Sequence, residues 1–367
     1  MAIVLEQLKR FAPVWKIGRI MFNKKTFVAF LILFSLFFTH PIKTPAASPD
    51  DIKAIYLTFG SARNSKKIQM VYDFVHKTEV NAVVIDVKAD RPTTDGHLTK
   101  LVGELNNQGI YTIARIVVMQ DSDLASKRPD LAIKTQSGEL WHSGKKEWRR
   151  YWVDPAAPYV VNYNVEIAKK AVDVGFKEIQ FDYIRFPSDG NMKNISYPYY
   201  DSKELKSDVM AKFFTKLSSE LKRYKPSVIL GIDIFGEAYF NGQEPNVGQR
   251  LSDLEKHFDV ISPMNYPSHF QCGEFGFKDP SQHPYEVMYG ALALGKKRLA
   301  NPKIIIRPWI QDFSIRNIYG CSPSGISYGP QEVRAQIKAA QDAGDFGFML
   351  WNASSRYTKN ALLEKTE

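Results

Sequence analysis

The sequence predicts an α/β fold, a single (β/α)8 TIM barrel with long loops on the face where the strands end. Two observations predict it. Eight short runs of β-branched and aromatic residues follow residue 51, and amphipathic stretches of helical spacing lie between them. Near-continuous apolar strands that alternate with helices are typical of a parallel sheet covered by helices, and eight such units close a barrel. An open doubly wound sheet is the alternative, but the first strand lacks the glycine-rich turn that usually follows it there.

Each predicted element follows from its own apolar pattern. The predicted strands cover 54–59, 82–87, 112–118, 178–183, 228–235, 260–263, 304–309 and 347–351. The predicted helices cover 66–77, 98–107, 160–174, 203–224, 248–257, 285–299 and 331–343. The barrel domain, over residues 51–360, exceeds the roughly 250 residues of a typical barrel. The surplus lies in four segments that follow strands and would open on one face, namely 119–158, 185–202, 264–284 and 310–329.

Composition and charge limit the classes of protein to which the chain can belong. Of its 367 residues, 44% are hydrophobic and 24% are charged, which excludes wholesale disorder and a multi-span membrane protein. The net charge is +10, but residues 1–47 carry seven basic and one acidic residue, so the other 320 contribute only +4. A nucleic-acid-binding protein concentrates positive charge on its folded part. We therefore expect no nucleic-acid partner.

Residues 1–47 are predicted to be a signal peptide or an N-terminal membrane anchor. Basic residues precede the uncharged run Phe27–Phe38, and small residues follow it. Twelve helical residues rise about 18 Å, less than the bilayer core of about 30 Å, which favours a signal peptide. The long basic stretch leaves a membrane tether through residues 27–38 open. We expect the mature protein outside the cytoplasm, whether secreted, periplasmic or anchored to the cell membrane.

Cys272 and Cys321 are the two cysteines of the chain. In an oxidising compartment an even pair is commonly bridged. The two residues fall in the loops after the sixth and seventh predicted strands, which are neighbours in a barrel. We expect a disulfide between them, with two unpaired thiols as the alternative.

Polar residues stand in several strands where apolar ones are expected, near the strand ends at which barrel enzymes carry their chemistry. A buried charge is costly unless it is paired or used. These residues are Asp86, Arg115, Asp182, Asp233, Arg307 and Asn352, with Glu237 shortly after the fifth strand. A structural role is the competing interpretation, namely an ion pair for Asp86 or Arg115 and a solvated loop acid for Glu237. It is weakest for Asp182, which Arg185 and a proline follow closely.

Two carboxylates across a cleft are what cleavage of a glycosidic bond requires. One protonates the leaving oxygen, while the other attacks the anomeric carbon or activates water. We predict Asp182 and Asp233 as this pair, with Glu237 as the reserve acid and the stereochemical outcome left open. Arg185 and Arg307 would orient carboxylates or bind anionic sugar groups.

Aromatic residues in the predicted loops and at strand ends favour a sugar substrate, because aromatic faces stack on the C–H faces of pyranose rings. Tyr266, Trp309 and Trp351 are placed for such contacts, although packing of the loops is the alternative. The histidines lack the spacing of a metal hydrolase, and no Gly-x-Ser-x-Gly motif is present. We therefore expect neither a metal nor a cofactor.

An ordered series of motifs resembles a known family. The motifs are IDVKAD (85–90), ARIVVMQD (114–121), WVDP (152–155), GFKEIQFDYIRFP (175–187), IDIFG (232–236), VISPMNYPSHF (260–270), IIRPWIQDF (305–313) and GFMLWNAS (347–354). Together they resemble the "putative glycoside hydrolase" family of bacterial secreted proteins that was first filed as a domain of unknown function. The resemblance covers about residues 51–357, and the FDYIRFP and RPWIQDF stretches are specific.

The resemblance implies a TIM barrel distantly similar to alpha-amylase-type hydrolases. It places Asp182 on the nucleophile position at the end of strand four, and Asp233 or Glu237 on the acid position after strand five. The predicted substrate-binding residues are Asp86, Arg115, Asp121, Arg185, Tyr266, Arg307, Trp309, Trp351 and Asn352. The predicted function is cleavage of glycosidic bonds in an extracytoplasmic polysaccharide or oligosaccharide. A non-catalytic barrel that binds a cell-surface glycan is the alternative.

Overall fold

A computed structural model describes residues 48–89, 91–144, 149–241, 246–322 and 325–365. The predictions for residues 1–47 lie outside the described residues. The chain divides into two units, residues 1–44 and 45–367, and every described residue belongs to the second. Within the described ranges, no helix combines the length and the hydropathy that a membrane span requires.

The architecture is α/β, built on a curled parallel sheet of nine strands. The strands are β1 (Lys53–Leu57), β2 (Ala82–Lys88), β3 (Tyr111–Val117), β6 (Glu178–Asp182), β7 (Ile229–Phe235), β8 (Val260–Met264), β9 (Ile305–Ile306), β10 (Trp309–Gln311) and β11 (Phe348–Trp351). Their order is β10-β11-β1-β2-β3-β6-β7-β8-β9. Two further strands, β4 (His142–Ser143) and β5 (Arg150–Tyr151), form a small antiparallel sheet. A strand forms at each of the eight predicted positions.

The seventh predicted strand is split in two by Pro308. Proline has no N–H to donate to the ladder, so regular pairing stops there. The two residues at the break nevertheless form hydrogen bonds to strands that lie near opposite ends of the sheet, β8 and β11. Arg307 N donates to Ile261 O of β8 at 3.0 Å, while Pro308 O accepts from Met349 N of β11 at 3.0 Å.

Helices lie between successive strands and cover the outside of the sheet. They are α1 (Phe59–Ala62), α2 (Ser65–Lys77), α3 (Gly96–Asn107), α4 (Ser122–Lys127), α5 (Pro158–Val174), α6 (Lys206–Tyr224), α7 (Gly236–Phe240), α8 (Leu251–His257), α9 (Pro284–Arg298) and α10 (Pro330–Gly344). Local chemistry sets their ends. Asn64 caps α2 through Lys66 N at 3.0 Å. Helix α5 starts at Pro158, and Gly175, with φ 104° in the left-handed region, caps its carboxyl end.

Strand alternation decides which side chains face the interior of the curled sheet. An apolar cluster inside the sheet includes Ala82 and Val84 from β2 and Tyr111 and Ile113 from β3. Because side chains alternate with a period of two, the next inward positions on these strands are Asp86 and Arg115. The apolar layer of the interior therefore gives way to a polar layer near the carboxyl ends of the strands.

An ion pair occupies the other, amino-terminal end of the interior. Arg307 Nη1 lies 2.6 Å from Glu178 Oε1, at the start of β6, and Tyr111 OH donates to the same carboxylate at 3.3 Å. Arg307 Nη2 donates to Pro49 O at 2.8 Å. This placement corrects the prediction that Arg307 belongs to the substrate-binding end. Its side chain follows the inward alternation of the strand but turns back to the buried carboxylate of Glu178.

Candidate active site

A cleft of about 900 Å³ opens where the parallel strands end. Its volume lies within the roughly 300–1,000 Å³ range of small-molecule sites. Its polar lining comprises Arg115, Asp182, Arg185, Ser188, Asp189, Glu237, His269, Asn352 and Ser354. Its aromatic lining comprises Tyr183, Phe235, Phe240, Tyr266, Phe270, Trp309, Phe313, Tyr319 and Trp351. Charged groups and flat apolar surfaces thus share one concave site.

Arg115 joins two carboxylates on the floor of the cleft. Its Nη1 lies 2.7 Å from Asp86 Oδ1, and its Nη2 and Nε lie 2.5 and 3.1 Å from Asp182 Oδ2. Tyr56 OH donates to Asp86 Oδ2 at 2.5 Å. All three charged side chains are buried. One guanidinium therefore compensates two buried carboxylates, a charge-assisted arrangement that fixes the orientation of both.

The backbone beside Asp182 supplies a further donor. Tyr183 has φ 49°, a left-handed conformation uncommon for an aromatic residue. Its N–H donates to Asp182 Oδ1 at 2.6 Å. Sparsely populated backbone conformations concentrate at functional sites. Three N–H groups, from Arg115 and Tyr183, therefore hold the Asp182 carboxylate in place where it meets the cleft.

Asp233 lies beneath the cleft rather than on its surface, with 1% of the residue exposed. Its Oδ1 accepts from Gln180 Nε2 at 2.7 Å and from Trp309 Nε1, while its Oδ2 has no hydrogen-bond partner among the described residues. Burial raises the pKa of Asp233 well above its usual range, and the nearby charge of Asp182 raises it further. Through Oδ1 the carboxyl group of Asp233 positions the Trp309 ring and the Gln180 amide.

Asp233→Asn is expected to stabilise the protein increasingly as pH rises. With its raised pKa, Asp233 holds its proton in the folded state at pH values where the unfolded chain, with a pKa of about 3.9, has lost it. The free energy of unfolding therefore falls with pH above about 4, by up to about 1.4 kcal/mol per pH unit for this group. Asparagine does not titrate, so the variant lacks this pH-dependent contribution to the free energy of unfolding. Urea unfolding of both proteins at pH 4.5 and pH 8 measures it, and a pH-independent difference would contradict the assignment.

Packed aromatic rings adjoin Arg115. The ring centroids of Tyr56 and Trp351 lie 4.4 Å apart, and the Arg115 guanidinium carbon lies 5.1 Å from the Trp351 centroid. Trp309 meets Trp351 edge to face at 5.4 Å. Burial raises the pKa of Tyr266 well above its ordinary value, with nearby Asp233 adding to the effect. The cleft thus has an apolar, aromatic floor around the Asp182 carboxylate.

Glu237 brings a second carboxylate to the surface of the cleft. It lies in the first turn of α7, directly after β7, and is half-buried. Burial raises the pKa of Tyr319, and the charges of Glu237 and Glu274 raise it further. Tyr319 lines the same cleft as Glu237, on the part formed by the segment after β10.

Arg185 also lines the cleft, although it is almost fully buried. Its Nη1 donates to Phe186 O at 2.9 Å and to Ser188 Oγ at 3.2 Å. The guanidinium carbon lies 4.3 Å from the Phe235 ring centroid and 5.1 Å from that of Trp152. Stacking against rings and bonding to neutral oxygens hold the cation in position.

The other predicted residues fall into two groups. Asn352 lines the cleft, and its Nδ2 donates to Asp312 O at 2.6 Å. Asp121 does not line it, which corrects the prediction that it contacts substrate. It is fully buried, caps α4 through Leu124 N at 2.8 Å, and lies 2.8 Å from Lys88 Nζ. A charge pair and a helix cap account for Asp121.

Several residues of the site were not singled out from the sequence. The inward alternation of the first strand could have identified Tyr56. In the fourth strand, alternation predicts that Gln180 shares the side of Asp182, but the sequence carries no sign that Asp233 is its partner. The roles of Tyr183 and Tyr319 depend on loop conformation, for which the sequence carries no signal. Within the described ranges, no three His, Cys, Asp or Glu side chains are grouped to hold a metal ion.

Solved structures share this fold. An alpha-L-fucosidase from Paenibacillus thiaminolyticus matches with a TM-score of 0.57 and 14% identity, over 85% of this chain and 48% of its own. The PgaB (BpsB) glycoside hydrolase domain from Bordetella bronchiseptica matches with a TM-score of 0.56 and 11% identity, over 86% and 99%. A hypothetical protein from Ruminiclostridium thermocellum is 30% identical over 49% of this chain and 96% of its own, with a TM-score of 0.42. The first two show the fold to be TIM-barrel-like, as found in glycoside hydrolases.

Comparison by sequence gives the family. No curated protein matches the chain. Residues 93–357 match the sequence profile of a family described as "putative glycosyl hydrolase domain", which spans the strands that carry Arg115, Asp182 and Trp351. The chain therefore belongs to this glycosyl-hydrolase-like family.

Proposed function

We propose that the protein is a glycosidase that cleaves glycosidic bonds in an extracytoplasmic polysaccharide or oligosaccharide. The observation that carries the proposal is the arrangement around Asp182. Its carboxylate is fixed by Arg115 and Tyr183 at the floor of an aromatic-lined cleft that also contains Glu237. We further propose that the curled sheet closes as an eight-stranded barrel over residues 51–360, joined through the split seventh strand.

Asp182 acts on the anomeric carbon in this proposal. Either its carboxylate attacks that carbon and forms a glycosyl-enzyme ester, or it removes a proton from the water that attacks. The held carboxylate needs little reorganisation in either case, because its N–H donors are already in place. Stereochemical retention and inversion both remain consistent with it.

Glu237 is the proposed general acid. It donates a proton to the glycosidic oxygen as the bond from that oxygen to the anomeric carbon breaks. A general acid must come within hydrogen-bond reach of the oxygen that it protonates. Glu237 lines the cleft, whereas Asp233 lies under Trp309 with 1% exposed. We therefore assign protonation to Glu237, and to Asp233 the positioning of Trp309 and Gln180.

The remaining cleft residues bind the sugar in this proposal. Tyr266, Trp309 and Trp351 present ring surfaces to the C–H faces of a pyranose. Arg185 and Asn352 provide N–H groups for hydroxyl or anionic substituents. Asp86 acts indirectly by holding Arg115.

An extracytoplasmic location is part of the proposal. The disulfide between Cys272 and Cys321, with Cα atoms 5.2 Å apart, supports an oxidising compartment. The basic leader with its uncharged run Phe27–Phe38 supports export, by a signal peptide or with a membrane tether.

Glu237→Gln is expected to lower kcat/KM about 10²–10⁴-fold on substrates with a sugar leaving group. The loss should be far smaller on 4-nitrophenyl hexopyranosides, because nitrophenolate departs without protonation. The full chain would be assayed against peptidoglycan, capsular polysaccharide and α- and β-linked 4-nitrophenyl hexopyranosides, by release of reducing ends or nitrophenolate.

Glu274→Gln is the matched control, since Glu274 is an acid of the segment after β8 that does not line the cleft. If Asp233→Asn shows the dependence on leaving group and Glu237→Gln does not, the acid is Asp233. If the wild type binds glycan but hydrolyses none of these substrates, the protein is a glycan-binding barrel instead.

A further inference from the structure

We propose that Ile315, Ile318 and Tyr319 form a binding wall for the sugar on the leaving-group side of the cleaved bond. This inference rests on the proposed function, and in particular on Glu237 as the general acid. It assigns a substrate contact to three residues of the segment 312–322 that were not predicted as site residues.

Covalent and hydrogen bonds hold this segment against the loop after β8. The disulfide joins Cys321 to Cys272, 49 residues apart in the chain. Asn317 Nδ2 donates to Phe270 O at 3.1 Å, and Ile318 N donates to Ser268 O at 3.0 Å. Two loops from neighbouring strands therefore form one tied surface, and groups on it have defined positions in the cleft.

The side chains on this surface are apolar and exposed. Ile315, Ile318 and Tyr319 are 42%, 52% and 51% exposed, and all three line the cleft. Contiguous exposed apolar groups at the rim of a groove mark a place where a ligand covers them. A packing role does not explain them, because the segment is already held by the disulfide and by Asn317.

The wall adjoins the proposed acid. Glu237 and Tyr319 line the same cleft. Phe240, on the same helix as Glu237, stacks on Phe270 with ring centroids 5.5 Å apart, and Asn317 bonds to the Phe270 carbonyl. The segment that carries Tyr319 therefore lies beside the helix that carries Glu237. The acid protonates the bridging oxygen, and the departing sugar lies on the acid's side of that oxygen. The sugar that contacts Tyr319 is therefore the one that leaves when the glycosidic bond breaks.

The chemistry of the wall fits the face of a sugar ring. The tyrosine ring and two branched aliphatic chains offer a flat apolar surface without a charge of their own. The C–H face of a pyranose buries against such a surface, and its hydroxyl groups remain available to the nearby carboxylate and to water. An uncharged hexose of an oligosaccharide or polysaccharide is the occupant that we assign.

Tyr319→Ala tests the wall with paired leaving groups. The probes are 4-nitrophenyl hexopyranosides, whose ring reaches the leaving-group side, and the corresponding hexosyl fluorides, whose leaving group is a single atom. The expected result is a rise in KM of about tenfold for the nitrophenyl substrate, from loss of one aromatic contact. The KM for the fluoride should stay unchanged. Tyr289→Ala is the control, since Tyr289 is 41% exposed but does not line the cleft.

A second variant tests whether the disulfide between Cys272 and Cys321 positions the wall. Cys272→Ser combined with Cys321→Ser should raise KM for the nitrophenyl substrate and spare the fluoride, as Tyr319→Ala does. If wild type hydrolyses both probes and Tyr319→Ala changes both KM values equally, or neither, the wall is overturned while the proposed function stands. If wild type hydrolyses no glycoside, fluoride or glycan, the proposed function fails and the wall fails with it.

Discussion

Replacing Asp182 by asparagine is expected to lower kcat by about 10⁴-fold on any glycan that the wild type hydrolyses. Asparagine keeps the shape of the side chain but cannot attack the anomeric carbon or accept a proton from water. Its amide nitrogen also cannot accept the N–H of Tyr183 that now bonds Asp182 Oδ1. Initial rates of reducing-end release, at saturating substrate, measure the loss.

The control for this change is Asp342→Asn, an exposed acid on α10 that is bonded to Lys338. It should leave kcat unchanged. Binding of the Asp182 variant to the same glycan should be retained, since most of the aromatic cleft is untouched. Turnover within tenfold of wild type would remove Asp182 from the mechanism.

Replacing Arg115 by methionine is expected to cost about 3–5 kcal/mol of stability. The change leaves the buried carboxylates of Asp86 and Asp182 without their shared cation. The penalty should shrink as pH falls, because protonated carboxyl groups need no counter-charge. Urea unfolding at pH 7 and at pH 4.5 measures both effects.

Arg128→Met provides the comparison, because Arg128 pairs with Asp130 on the exposed surface. Exposed pairs contribute little, so its unfolding midpoint should stay close to that of the wild type. If both variants lost the same free energy of unfolding, burial of the Arg115 ion pairs would not be the cause of the loss.

Regular periodicity is what made the fold predictable. Strands with apolar runs on both faces and helices with one apolar stripe appear at the predicted positions. The short helices α1, α4 and α7 were not predicted, since one or two turns carry no period. The break at Pro308 was not predicted either, although the lack of a proline N–H explains it.

The site was predictable where it follows from strand alternation, and unpredictable where it depends on depth or loop shape. Inward alternation brings Arg115, Asp182 and Asp233 to one end of the sheet. Depth then separates them, since Asp182 meets the cleft and Asp233 lies below Trp309. Arg307 has the same inward pattern but belongs to the other end, because Glu178 is its partner. Sequence alone does not tell which layer a polar side chain will join.

The contact between Arg307 and the carbonyl of Pro49 has a practical consequence. It secures the point where the chain enters the folded domain at the amino-terminal end of the strands, whereas the reactive groups gather at their carboxyl ends. An affinity handle or a solid support joined directly to residue 48 is therefore attached on the far side from the cleft. Immobilisation at that point should leave the cleft accessible to large polymers.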